Sequence, residues 1–114
     1  MGEFSPTVDM TVMWADLENA MPNEYTIHQN YPNPFNPSTT LRYTLPEQSD
    51  VKIAVYDMIG RKVRTLVNGS QDVGYKSVIW DATNDYGERV GAGIYLYQIQ
   101  AGAFVQTRKM VLLK

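Results

Sequence analysis

Apolar and polar residues alternate with a period near two along most of the chain after residue 22. In the stretch LRYTL, Leu41, Tyr43 and Leu45 would share one face of a strand, and the stretch VKIAVY repeats the pattern. Clusters of Gly, Asn, Asp and Pro interrupt the pattern at intervals of about 8–12 residues. The pattern predicts strands at residues 25–29, 39–45, 51–56, 62–67, 76–80, 93–100 and 104–113.

This spacing of short strands is typical of an all-β sandwich or barrel, and no stretch shows a clean helical period. Connections such as DMIG and AG suit hairpins, because glycine supplies the positive φ of tight turns. We therefore predict an antiparallel β-sandwich of two layers, each hiding one face. Trp80 is the predicted centre of its core.

The stretch YPNPFNPST places three prolines and two asparagines around one aromatic residue, Phe35. Proline fixes φ and lacks a backbone donor, so strand pairing is expected to stop here. Asn33 and Asn36 can replace the lost partners through Asx turns. We predict that Phe35 closes the open end of the sandwich, held by Pro34 and its neighbours. The alternative is an ordinary inter-domain linker.

Residues 1–21 differ from the rest of the chain. They carry four acidic residues and no Lys or Arg, whereas residues 22–114 hold all ten basic residues and eight acidic ones. The start MGEF resembles a cloning remnant, so we expect a piece of a longer protein. Val8, Met10, Val12 and Trp14 alternate, which fits a strand of an upstream domain, an eighth strand of this sheet, or a remnant. The predicted boundary lies between residues 21 and 22.

Composition places the chain among globular proteins, with 44% apolar and 19% charged residues. It has no cysteine, so neither a disulfide nor a thiolate metal site can form. No apolar run is long enough to cross a bilayer, and the start lacks the basic and apolar regions of a signal peptide. Membrane insertion is therefore not expected.

Residues that usually carry catalysis are scarce. His28 is the only histidine, so triads and zinc cages are poorly supplied, and we expect neither an enzyme nor a bound cofactor. Basic residues are spread singly and no phosphate-binding glycine loop is present, so nucleic acid is not an expected partner. The stretch DATNDYGER offers Asp81 and Asp85, but its spacing fails the twelve-residue calcium loop and predicts an Asx-rich turn.

Four stretches follow one another in a specific order: YPNPFNP, VKIAVYDMIGRKV, WDATNDYGERVGAGIYLYQI and TRKMVLLK. Together they span about residues 30–114 and closely resemble the type A C-terminal sorting domain of proteins exported by the type IX secretion system. That family is itself similar to the immunoglobulin-like domain of flagellar hook-capping proteins. The resemblance implies an all-β, immunoglobulin-like antiparallel β-sandwich of about seven strands.

Two of these stretches also have a structural interpretation. In VYDMIGRKV, Asp57 can accept hydrogen bonds from the amides ahead of it, and Gly60 can take the positive φ of the turn. In GAGIYLYQI, Gly93 allows a sharp bend into a strand that carries Tyr95 and Tyr97 on one face. These two tyrosines could pack within the sheets or form part of a recognition surface.

The resemblance implies a non-catalytic export signal. Its partners would be the type IX secretion machinery and a surface sortase that removes the domain, with anionic lipopolysaccharide joined to the cargo. The protein would be exported, in the periplasm in transit and then at the cell surface. We expect recognition by strand capture at the open edge of the last predicted hairpin. The residues assigned to it are Tyr95, Tyr97, Gly102, Lys109, Met110, Val111, Leu112, Leu113 and Lys114.

The competing interpretation is an accessory immunoglobulin-like module of an extracellular enzyme, either a spacer or a carbohydrate-binding domain. A carbohydrate-binding module needs exposed aromatic side chains. Tyr25, Tyr31, Tyr75 and Tyr86 are the candidates.

Overall fold

The structure is a computed structural model that describes residues 22–113. The three interpretations of residues 1–21, and Lys114, therefore lie outside the described residues. No helix in the described part of the chain has the length and apolarity needed to cross a membrane. The strands are β1 (Thr26–Ile27), β2 (Thr39–Leu45), β3 (Ser49–Tyr56), β4 (Lys62–Gln71), β5 (Gly74–Trp80), β6 (Gly93–Ala101) and β7 (Phe104–Leu112).

The seven strands form two antiparallel sheets. One has three strands in the order β1-β2-β5, and the other has four in the order β4-β3-β6-β7. Consecutive strands pair as hairpins only at β1–β2, β3–β4 and β6–β7, while the other three connections cross between the sheets. The predicted immunoglobulin-like antiparallel β-sandwich of about seven strands is confirmed.

Two strands differ from the prediction by more than two residues, while β3 and β5 each begin two residues earlier than expected. Strand β4 continues to Gln71 through the stretch NGSQ, which was expected to be a loop, because Ser49, Asp50 and Val51 pair with it. The turn to β5 then shrinks to two residues, 72 and 73. Strand β1 is only two residues long, against five predicted, because its chain soon leaves the sheet toward β7.

The core lies between the inner faces of the two sheets. Trp80, predicted at its centre, is fully buried but lies at the end of β5, with its ring 5.7 Å from that of Phe35 and 5.4 Å from that of Tyr95, measured between centroids. The indole N–H donates to the Thr83 carbonyl at 2.8 Å, so its one polar group is satisfied. The alternating residues predicted to face inward on β2 and β3 are all buried, namely Leu41, Tyr43, Leu45, Val51, Ile53 and Val55.

Inside this core, a hydroxyl group of the four-stranded sheet bonds to the chain that follows β1. Tyr97 on β6 donates to the His28 carbonyl at 2.8 Å and accepts from the Asn30 amide at 2.8 Å. Burial raises the pKa of this tyrosine, and the Asn30 hydrogen bond opposes the increase. Since Asn30 is 2% exposed, water cannot replace the hydroxyl as a partner for its amide.

Replacing Tyr97 by Phe should therefore destabilise the domain by about 1–3 kcal/mol, the range for leaving a buried polar group unpaired. Urea unfolding followed by tryptophan fluorescence measures the change. Tyr86→Phe is the matched control, because Tyr86 is 87% exposed and its loss of a hydroxyl should change stability by less than about 0.5 kcal/mol. Equal unfolding midpoints for the two variants would contradict the assigned role.

Candidate recognition site at the last hairpin

The last hairpin, β6 and β7, divides its side chains between the core and the surface. Met110 and Leu112 point inward and are buried, at 0% and 5% exposure. Lys109 and Leu113 are exposed, and Val111 is half-buried. The alternation follows from the period of a strand whose inner face packs on the opposite sheet.

Tyr95 and Tyr97 both lie on the buried side of β6. Tyr95 is 9% exposed, makes an edge contact with the Trp80 ring, and donates to the Gly91 carbonyl at 2.5 Å. Burial raises the pKa of Tyr95, and the nearby Asp57 carboxylate raises it further. Of the two roles left open for this pair, the structure shows core packing.

Five of the nine residues assigned to partner recognition cannot be placed on an exposed surface. Four have buried side chains, and Lys114 is not described. Gly102, in the two-residue turn between β6 and β7, is exposed. The recognition role of the whole set remains a prediction. The exposed or half-exposed members are Gly102 at the turn and, at the other end of β7, Lys109, Val111 and Leu113, which we call the hairpin surface.

Phe35 closes one end of the sandwich, as predicted. Its side chain is 1% exposed. Its amide donates to the Val111 carbonyl at 3.0 Å, and its carbonyl accepts from the Leu113 amide at 2.9 Å, forming a parallel bridge to β7 at Leu112. The expectation that pairing stops throughout the proline stretch is therefore wrong, because Phe35 stands between prolines and keeps its own N–H group.

Two amide side chains extend this cover along β7. The Asn33 Oδ1 atom accepts from the Val111 amide at 3.0 Å, so Asn33 serves a distant strand and not the expected Asx turn. The Gln29 Nε2 atom donates to the Lys109 carbonyl at 2.7 Å. The expected open edge of β7 is thus covered from residue 109 onward. Among residues 22–113, no group pairs with the outward backbone of residues 105–107.

Asn30 is a structural residue that the sequence pattern did not identify. Its side-chain amide donates to the Pro32 carbonyl at 3.1 Å and to the Thr39 hydroxyl at 3.0 Å, and its backbone meets Tyr97. A buried asparagine needs hydrogen-bond partners inside the protein. The only hint in the sequence is that Asn30 directly precedes the proline stretch. The Tyr97 partner lies 67 positions away, beyond any local pattern.

The turn after β3 has the predicted geometry. Asp57 Oδ1 accepts from the amides of Ile59 and Arg61, both at 2.9 Å, and Gly60 takes a φ of +94°. The hydrogen bond from the Arg61 amide, with further help from its side chain and the Ile59 amide, holds the pKa of Asp57 below its usual value. Gly93, with a φ of +150°, opens β6 where the chain bends.

The loop between β5 and β6 is an Asx-rich turn, as its residues predict. Asn84 Oδ1 accepts from the amides of Tyr86 and Glu88, at 2.9 and 3.0 Å. Asp85 Oδ1 accepts from the Thr65 amide on β4 at 3.0 Å, which ties the loop to the edge of the four-stranded sheet. In the described part of the chain, no three His, Asp or Glu side chains converge as a metal site would require.

Replacing Phe35 by Ala should destabilise the domain by about 3–5 kcal/mol, as expected for emptying a buried aromatic site. It should also free the edge of β7, so the amides of Val111 and Leu113 should exchange hydrogen faster than those of β3. Tyr31→Ala, in the same stretch but 70% exposed, is the control and should leave both measurements nearly unchanged. Unchanged exchange at Val111 in the Phe35 variant would show that this segment does not hold β7.

Comparison with known proteins supports the immunoglobulin-like architecture. The model of the FlgD Ig-like domain family matches residues 36–103. The chain is similar to FlgD from P. aeruginosa, with 27% identity and a TM-score of 0.52, over 65% of this chain and 58% of that one. A search of curated proteins finds no match.

Two proteins of Porphyromonas gingivalis share the fold. PorU, solved as a latent dimer, has 23% identity and a TM-score of 0.64 over 79% of this chain. PorZ, an essential surface component of the type IX secretion system, has 17% identity and a TM-score of 0.52 over 88% of this chain. This chain spans only 9% of the PorU chain and 12% of the PorZ chain, so the similarity concerns one part of each.

The family match, the two antiparallel sheets and the shared folds agree on the same architecture. The matched residues make up more than half of the 114 residues. The chain belongs to the FlgD Ig-like domain family.

Proposed function

We propose that this domain is a type A sorting domain, a non-catalytic signal that directs its cargo protein through the type IX secretion system across the outer membrane. The observation that carries the proposal is the ordered set of four stretches from YPNPFNP to TRKMVLLK. The fold supports it, because PorZ, described as a component of that system, and PorU from the same organism contain a similar sandwich.

The hairpin surface provides the contact for the secretion machinery in this proposal. It combines a cation, Lys109, with the apolar side chains of Val111 and Leu113, which is 51% exposed. Apolar contacts supply affinity, while a charge at the rim guides orientation. Because Asn33 and Phe35 bond to the outward backbone groups of Val111, a partner can contact this part of β7 only through its side chains.

The later steps follow from the same proposal. The cargo passes the periplasm and reaches the cell surface, where a sortase removes the domain and anionic lipopolysaccharide is joined to the cargo. The domain itself acts only as a sorting signal and catalyses no reaction.

Fusing residues 1–114 behind a periplasmic fluorescent protein in a cell with a type IX system should bring fluorescence to the cell surface or medium. The double substitution Lys109→Glu with Leu113→Asp should reduce that export at least tenfold, because it reverses the charge and removes an apolar contact. The control, Arg42→Glu with Ile59→Asp, makes the same changes at exposed positions elsewhere. Periplasmic retention of the unmodified fusion would refute the sorting function.

A second function has one specific observation in its favour, the outer face of the three-stranded sheet. Tyr31 bridges to Thr40, and Tyr75 pairs with Thr44, so both tyrosines lie on this face, 70% and 62% exposed. The two threonines are separated by about 13 Å along β2. His28 and Arg42 lie between them and could donate to hydroxyl groups. Such a face could bind carbohydrate.

Tyr25 and Tyr86 contribute less to this face. Tyr25 stacks on Phe104 at 5.5 Å and shares a hydrogen bond with Ser49 at 2.9 Å, so it is half-buried. Tyr86 lies in the loop between β5 and β6, away from the three-stranded sheet.

If the domain binds carbohydrate, a glycan array should give a signal that Tyr31→Ala with Tyr75→Ala reduces at least tenfold. Each aromatic face lost removes apolar contact with a sugar ring. Tyr86→Ala should keep the signal. The absence of binding to any glycan would exclude this second function and leave the sorting proposal intact.

A further inference from the structure

The outer edge of β5 exposes backbone groups that have no partner within residues 22–113. On β2, Thr40 exchanges hydrogen bonds with Tyr31, and the Arg42 carbonyl accepts from His28, so the even-numbered residues of β2 face β1. Its odd-numbered residues therefore bond to β5, where Leu41 pairs with Val78. It follows that Tyr75, Ser77 and Ile79 of β5 direct their N–H and C=O groups away from the sheet.

The side chains along this edge are also exposed. Tyr75 and Ile79 are 62% and 64% exposed, with Ser77 between them on the same face. An exposed apolar edge strand of this length is a template for pairing with another strand. A proline or a bulge would block pairing, and β5 has neither; its one charged residue, Lys76, lies on the inner face opposite Tyr43, and the outer face carries no charge.

The two edge strands of the other sheet are each covered over part of their length, whereas no group among residues 22–113 covers the outer edge of β5. The β7 edge is covered from Lys109 onward by the segment around Phe35. The β4 edge is occupied where the Asp85 amide donates to the Val63 carbonyl at 3.0 Å and its carboxylate accepts from Thr65.

The outer edge of β5 is complementary to itself. Two copies related by a twofold axis at Ser77 would pair antiparallel, with Tyr75 of each opposite Ile79 of the other. An aromatic residue opposite a β-branched one is a favourable cross-strand pair. The only charged residue of the strand, Lys76, would face Val78 of the second copy, so no like charges meet. An interface with twofold symmetry uses the same surface of both copies, so that surface must be complementary to itself.

We propose that the outer edge of β5 is a pairing site for a second copy of this chain, which joins the two three-stranded sheets into one sheet of six strands. A seven-residue strand is about 23 Å long. The contact along it is smaller than the standard interface of about 800 Å² per partner, so the dimer should be weak, with a Kd of about 10 μM to 1 mM.

Sedimentation velocity of the 114-residue chain from about 10 μM to 2 mM tests this proposal, and the weight-average mass should rise toward that of a dimer. Ser77→Pro should raise Kd at least tenfold, because it removes the N–H donor at the axis while sparing the bonds to β2. Proline is tolerated on an edge strand whose N–H faces solvent. Ser77→Ala, which keeps the N–H, should dimerise like the unmodified chain.

A second variant keeps the test decisive if Ser77→Pro does not fold. Ile79→Lys places a cation on the exposed outer face and removes both Tyr75–Ile79 contacts, so it should also abolish the dimer while leaving the unfolding temperature nearly unchanged. A chain that stays monomeric at 2 mM overturns the proposal. So does a dimer that survives these variants but is lost with Thr107→Pro, because that result would place the contact at the open part of β7.

Discussion

Phe35 is the point at which the two sheets are fastened together at one end. Its ring packs on Trp80 in the core, while its backbone pairs with Val111 and Leu113 beyond the edge of the opposite sheet. The same segment begins in the three-stranded sheet at β1, so one short stretch of chain belongs to both layers. The position of β7, and with it the hairpin surface, depends on this attachment.

The prolines on either side of Phe35 explain why the attachment is so short. They cannot donate ladder hydrogen bonds, so regular pairing cannot extend along the segment. Asn33 and Gln29 supply side-chain bonds to β7 in its place, at the Val111 amide and the Lys109 carbonyl. The result is a cover that satisfies part of the β7 edge without adding a full strand. Any partner that meets this half of the hairpin therefore meets side chains, whereas strand addition would first have to displace the cover.

Strand positions could be predicted from the sequence because alternation is a local property. The predicted bounds of residues 39–45 match β2, and those of β6 and β7 differ by one residue. The buried positions of Tyr43 and Trp80 followed from the same pattern, whereas that of Phe35 was predicted from the prolines around it. The Asp57 turn was also accessible, since all its hydrogen bonds fall within four residues.

The partners of isolated polar groups could not be predicted in this way. Asn33 was assigned a local turn, but it bonds to a strand 78 positions away. The coverage of β7 followed from that contact, so the expected open edge was misjudged for the same reason. Strand β4 ran longer than expected because pairing with β3 overrode the turn tendency of NGSQ. In each case the deciding interaction lies between residues that are distant in sequence.

The strand edges of this domain differ in how far their backbone groups are covered. Unpaired edges favour association, and this domain covers part of both edges of its four-stranded sheet with loop residues such as Asn33 and Asp85. The β5 edge lacks such a cover among residues 22–113, although it carries two large exposed apolar side chains. Protecting this edge would need only a small local change, such as a charged residue in place of Ile79. The exposure of those side chains beside unpaired backbone groups is therefore better explained by a contact that the edge makes than by incomplete protection.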